Sequence, residues 1–325
     1  MKTLFTAFFL FVSASALCEA QVGLDGASVL DAVTAEHARA DEGSLPLESG
    51  IQRATVKVAA VQAHSRFNDV AANHEKFLNL ADEAARNGAG IVVLPEAALT
   101  GYMGDGLLKR WQIPKEVSGE GVREVDPAES ALTVDSPVLR EFSNLAMLSG
   151  IYLSVPFLEL DRKTGRYYNT VVVFDPLGNR ALHYRKHDAW VPGDGGWMTA
   201  GNLGRPVLDT PFGRIGCLIC FDIHNQAEPM ADLGIDILLY SIAWVDAEGS
   251  DWFDHALPDI ANKQGFDIVA ANWALAENED EVSWHGHGQS RVITRSGAVL
   301  ASAGGDRGDL IVYADLPVRL EEGER

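Results

Sequence analysis

Three residues of complementary chemistry each close an ordered-looking run in this chain. Cys220 ends Arg214-Ile215-Gly216-Cys217-Leu218-Ile219-Cys220, Glu96 follows Gly90-Ile91-Val92-Val93-Leu94-Pro95, and Lys186 follows Arg180-Ala181-Leu182-His183-Tyr184-Arg185. Each run reads as a strand that stops at a polar group. A thiol held at a sharp strand-to-helix turn presents its sulfur to a cleft. A thiol attacks carbon only as the thiolate, so it needs a base or a cation nearby. Glu96 is the candidate base: it would take the thiol proton, deliver it to a leaving amine, then activate water. Shuttling of that kind requires a carboxylate whose pKa is raised by burial or by neighbouring acids. Lys186 carries a positive charge suited to an oxyanion, and the backbone N–H of Phe221 is a candidate second donor. Together the set suits attack on a carbonyl or nitrile carbon.

The elements that must position these groups are legible from pattern. Residues 55–61 are β-branched and small apolar, as in a buried strand. Residues 68–86 carry Val70, His74, Phe77, Leu78, Ala81, Ala84 and Ala85 on one helical face, with Asn68 or Asp69 as cap and Gly88 at the end. With the run into Glu96 they make a strand–helix–strand unit. Ser136-Pro137 opens a second helix that Gly150 ends. Residues 151–157, 168–174 and 180–185 read as strands joined by the turns Asp161-Arg162-Lys163-Thr164-Gly165 and Asp175-Pro176-Leu177-Gly178-Asn179, an order that favours antiparallel pairing. Further strands are expected at 235–241, 267–271, 290–294, 298–302 and 310–313, with a helix near 251–264 and a polar helical stretch after Cys220. This mixed order predicts an α/β sandwich of two sheets with helices outside.

The chain has 325 residues, 47% of them apolar, enough for a sizeable core. A formal net charge of −20 disfavours nucleic acid and anionic membranes as partners, because both need clustered Lys and Arg. Residues 1–20 have the form of a secretory signal peptide, with Lys2, an apolar run over 4–17 and Ala20 before the cleavage point. That predicts a secreted or periplasmic protein with no membrane span in the mature chain. Residues 21–52 read as an extension, either a helix over 28–40 or a poorly ordered start, and 53–325 as the catalytic domain. Cleavage would remove Cys18 and leave Cys217 and Cys220, too few for a disulfide scaffold.

The residues also resemble a known family. Leu94-Pro95-Glu96-Ala97-Ala98-Leu99-Thr100-Gly101-Tyr102 is similar to the glutamate motif of the carbon–nitrogen hydrolase (nitrilase) superfamily, Tyr184-Arg185-Lys186 to its lysine motif, and the run Gly216-Cys217-Leu218-Ile219-Cys220-Phe221-Asp222 to its nucleophile motif. Ala243-Trp244, Ala270-Ala271-Asn272 and Gly286-His287-Gly288-Gln289-Ser290 extend the resemblance over about 56–313. It implies an α-β-β-α sandwich, usually assembled as dimers or larger, so a homo-oligomer is expected. It also implies hydrolysis of non-peptide carbon–nitrogen bonds through a thioester or thioimidate on the cysteine, with neither metal nor organic cofactor. Many members use a second glutamate soon after the lysine, and here Asp194 stands in that neighbourhood. Within the superfamily, Cys220-Phe221-Asp222-Ile223, Ala243-Trp244 and Ala271-Asn272 resemble most the secreted vanin and biotinidase branch, which cleaves amides of pantetheine or biotin.

The expectation is therefore an exported hydrolase of a small-molecule linear amide, with Glu96, Lys186 and Cys220 catalytic. Tyr102, Asp194 and Trp244 are candidates for the substrate pocket, the two aromatics chosen from a set that includes Trp190, Trp197 and Trp273. Other readings exist. A nitrilase acting on nitriles needs the same three groups. Cys217-Leu218-Ile219-Cys220 is also a C-x-x-C, but strand alternation puts the two sulfurs on opposite faces. Zinc held by these cysteines with His285 and His287 is a third reading. A catalytically silent secreted binding module is a fourth, since fold alone does not fix function.

Overall fold

The computed structural model describes residues 54–66, 68–101, 127–194, 197–244, 251–274, 287–305 and 308–318. The expected signal peptide, the extension with its 28–40 helix, Tyr102 and His285 all lie outside the described residues. Residues 51–325 make up one compact unit.

Among the described residues, twelve strands build two six-stranded sheets. The first has the order β12(Leu310–Pro317), β1(Thr55–Gln62), β2(Ile91–Val93), β3(Tyr152–Asp161), β4(Arg166–Phe174), β5(Arg180–Arg185). The second runs β11(Val299–Ser302), β10(Arg291–Ile293), β9(Asp267–Ala271), β8(Ile237–Ser241), β7(Gly213–Ile219), β6(Val207–Thr210). β1, β2 and β3 are mutually parallel, as are β7, β8 and β9. The three expected hairpin strands β3–β5 pair antiparallel. The edge strand β6, which forms a hairpin with β7, was not legible: Val207-Leu208-Asp209-Thr210 is too short and mixed to show a period.

The period-2 pattern of the central strands decides the layering. Val56, Val58 and Ala60 of β1 and Ile91 and Val93 of β2 point into the core between the sheets, with Ile215 and Cys217 of β7, Leu239 of β8 and Val269 of β9. Ala59, Val61 and Val92 point to the opposite face, where they meet Phe77, Ala81 and Ala84 of α1(Val70–Arg86) and Leu139, Phe142 and Ala146 of α2(Pro137–Ser149). Strands covered on both faces must be apolar at both parities, which is why these runs look continuous. Asp69 caps α1 by accepting from Ala72 N at 3.2 Å, and Gly150 ends α2 in the left-handed conformation at φ 67°. α4(Ile223–Ala231) and α5(Leu257–Gln264) contribute Ile223, Ala227, Met230, Leu257 and Ala261 to the core cluster that continues on the other face of the second sheet. The layers are those of an α-β-β-α sandwich.

Candidate active site

Glu96, Lys186 and Cys220 come from different strands, yet their segments meet where β2, β5, β7, β8 and β9 end. Ser241 Oγ, at the end of β8, donates to Leu94 O at 2.9 Å, and Glu96 N donates to Ile242 O at 3.2 Å. Trp273, just past β9, gives its indole N–H to Glu96 O at 2.8 Å. Each bond crosses between the sheets, so the backbone at Glu96 is fastened to the second sheet. Asn73 of α1 donates to Leu99 O at 3.2 Å and holds the turn that follows.

The Glu96 side chain is fully buried. Its Oε1 accepts from Lys186 Nζ at 2.8 Å and from Asn169 Nδ2 at 2.7 Å, and its Oε2 accepts from Ala243 N at 3.0 Å. Burial pushes its pKa up, Lys186 opposes that, and the balance stays raised. Lys186 is equally buried, and it also donates to Asp194 Oδ2 at 2.7 Å. Burial favours the neutral amine, but Asp194 and Glu96 outweigh it and hold the ammonium well above its usual range. The lysine therefore stays charged.

Cys220 opens a single 3₁₀ turn, Cys220–Asp222, between β7 and α4, with φ 43°. A non-glycine residue there stores on the order of 1–3 kcal/mol of strain and persists only where surroundings fix it. Tyr240 Oη fixes part of it by donating to Cys220 O at 2.8 Å. The thiol lies within the field of the other two groups. Burial raises its pKa, Glu96 adds to that, and Lys186 with the Ala243 N–H works the other way, leaving it well above the usual thiol value. The sulfur is held as the neutral thiol beside a carboxylate and an ammonium. Cys217, by contrast, is fully buried in the inter-sheet core, and burial raises its thiol. The two sulfurs thus have separate environments.

Asp194 ends the short helix α3(Val191–Asp194), is fully buried, and accepts from Lys186 Nζ and from Trp190 N at 2.9 Å. Trp244 is half-buried and stacks on Trp252 at 4.8 Å between centroids, and His224 packs against both. These rings with Phe221 form an aromatic wall next to the turn that carries Cys220. His287 stacks on Phe253 at 5.8 Å.

Asn169 was missed by sequence reasoning. Its side-chain Nδ2 donates to Glu96 while its backbone carbonyl oxygen accepts from Lys186 N at 2.8 Å, so one residue of β4 touches both partners. A signal existed: an asparagine in the middle of Tyr168-Asn169-Thr170-Val171-Val172 runs against strand propensity.

The comparisons agree with this picture. The carbon–nitrogen hydrolase family description matches residues 57–323, and the chain belongs to that family. The chain is similar to a bifunctional nitrilase/nitrile hydratase of Oryza sativa subsp. japonica, with 30% identity over 67% of this chain and 60% of the relative, so it spans less than two thirds of that protein's length. It is 29% identical to an omega-amidase of Danio rerio over 81% of this chain and 88% of that protein. Its fold matches the crystal structure of a branch 10 member of the nitrilase superfamily from Saccharomyces cerevisiae with a TM-score of 0.63 at 25% identity, covering 81% of this chain and 90% of the other. The narrower likeness to the vanin and biotinidase branch rests on the motif residues alone.

Proposed function

We propose that this protein hydrolyses the carbon–nitrogen bond of a small linear amide through a thioester on Cys220. The observation that carries the reading is the buried cluster of Glu96, Lys186 and Asp194, with the Cys220 thiol in its field. In the first step the sulfur bonds to the amide carbon while Glu96 takes the thiol proton. The carbonyl oxygen becomes an oxyanion facing the Lys186 ammonium, with the Phe221 N–H as the second donor. As the carbon–nitrogen bond breaks, Glu96 returns the proton to the departing nitrogen, and a thioester remains. Water then attacks the thioester, Glu96 takes its proton, and the thiol is restored as the acid leaves. A raised carboxylate pKa suits this role, since the group must both accept and give a proton near neutral pH. Asp194 accepts a second hydrogen bond from the lysine ammonium. In this reading it takes the part of the family's second glutamate with one methylene fewer.

A nitrile substrate is the second reading, and the name of the rice relative favours it. Incubation with amide and nitrile panels, followed by mass spectrometry of the Cys220 peptide, tests both. An acyl adduct from amides, absent in Cys220→Ala and accompanied by ammonia or amine release, is the expected outcome. Turnover that survives Cys220→Ala would remove the thioester, and turnover of nitriles alone would favour the second reading. Export, expected from residues 1–20, belongs to the same proposal, and the intact mass of the protein recovered from its native host tests whether the mature chain starts near Gln21.

A further inference from the structure

The backbone strain at Cys220 raises the question of what holds the turn, and one buried carboxylate faces it. Asp222, two residues on, is fully buried and accepts four hydrogen bonds. Its Oδ1 takes His187 N at 3.0 Å and Asp188 N at 2.8 Å. Its Oδ2 takes Tyr184 Oη at 2.7 Å and Ile219 N at 3.2 Å. Three of these donors flank Lys186 on both sides, and the fourth immediately precedes Cys220. A carboxylate has about four lone-pair sites, and here each meets a donor.

The brace continues outward. Tyr184 stacks on His187 at 5.5 Å with an interplanar angle of 10°. Asp188 Oδ2 accepts from Gln226 Nε2 of α4 at 2.6 Å, and Gln226 in turn accepts from Arg205. The lysine segment is thereby tied twice to the element that begins at Cys220, while Glu96 and Asp194 hold the ammonium from the other end.

We propose that Asp222 is a positioning residue that sets the spacing between the Lys186 ammonium and the Cys220 sulfur. It touches neither substrate nor reacting atom, and acts by joining two backbone segments that share no strand ladder. The inference rests on the reading of Lys186 and Cys220 as a reacting pair.

The test is the alkylation rate of Cys220 by iodoacetamide, followed on the Cys220 peptide from neutral to alkaline pH, in the full chain and in Asp222→Asn and Asp222→Glu. Positioning predicts that both variants slow, by about tenfold or more, because both lose the geometry. A purely electrostatic role predicts otherwise: Asp222→Asn removes a negative charge near the nascent thiolate and alkylates faster, whereas Asp222→Glu keeps the charge and the rate. Either of those results, or wild-type rates in both variants, overturns the proposal. If circular dichroism shows both variants unfolded, Tyr184→Phe decides, since it removes one of the four bonds. A fall of about threefold is then expected, and an unchanged rate overturns the proposal. Alkylation displaces iodide and breaks no carbon–nitrogen bond, so a protein that turns over no amide yet shows the Asp222 dependence would sink the proposed function and leave the positioning role standing.

Discussion

Glu96 illustrates how much a single side chain depends on its neighbours. A fully buried carboxylate would ordinarily stay protonated, and burial is indeed the largest influence on its pKa. Lys186, Asn169 and the Ala243 N–H each supply a donor to the ionised form and oppose the effect of burial, yet the balance stays raised. The sign of the pH effect follows. The base form is lost as pH falls through a pKa above the ordinary 4.5, so the acid limb of the kcat/KM profile is expected above pH 4.5. Asn169→Ala removes a donor that favours the ionised form and is expected to move that limb further up. A limb below pH 4.5, or a downward shift in the variant, would contradict this assignment of the base.

At the scale of elements, the site depends on loops pressed onto strand ends. Asp194 comes from α3, and the chain then returns over the end of β5. There Gly201 N donates to Lys186 O at 2.8 Å. Only glycine fits this approach, because a Cβ would run into the Arg185 carbonyl oxygen. Gly201→Ala is expected to push Arg185 and Lys186 out of place. Overpacking of this kind costs about 1–3 kcal/mol of stability, and a displacement near 1 Å at a catalytic group costs on the order of 100-fold in rate. A thermal melt read beside kcat tests the pair of effects. Wild-type kcat in Gly201→Ala would show that this contact does not govern the lysine.

At the scale of the whole molecule, the first sheet carries a second buried charge cluster that the chemistry does not use. Glu159 of β3 accepts from Arg185 Nε at 3.0 Å and Nη2 at 2.5 Å, from Thr170 Oγ1 at 2.6 Å, and meets His183 Nε2 at 2.9 Å. Arg185 also lies 3.8 Å over the Tyr168 ring. Burial alone would raise Glu159, but these donors win and lower it from 4.5 to about 2. A folded pKa below the unfolded one gives stability that is complete above about 4.5 and lost as pH falls toward 2. That is worth roughly 3 kcal/mol at most. Glu159→Gln is expected to flatten the pH dependence of Tm in this window. It should also destabilise the protein near neutral pH by about 3 kcal/mol, because Arg185 is left buried without its partner. An unchanged Tm profile would mean that the cluster is not linked to folding.

What the sequence could determine by itself was whatever is local or periodic. The continuous apolar runs of β1, β2, β7, β8 and β9, the Asp69 cap, the Gly150 stop and the antiparallel order of β3 to β5 all follow from residues close together in the chain. Glu96, Lys186 and Cys220 stood out because reactive side chains at the ends of apolar runs are visible one at a time. The tertiary structure decided what depends on distant partners. Asn169 showed in the sequence only as a polar residue within a strand and Asp222 only as a neighbour of Cys220, and their meaning comes from hydrogen bonds to residues 73 and 35 positions away. Asp194 was legible as an acid soon after the lysine, but its hydrogen bond to Lys186 shows only in the fold. Burial and charge coupling act through space, so the protonation of a thiol, a carboxylate and an amine is set only when the two sheets close on each other.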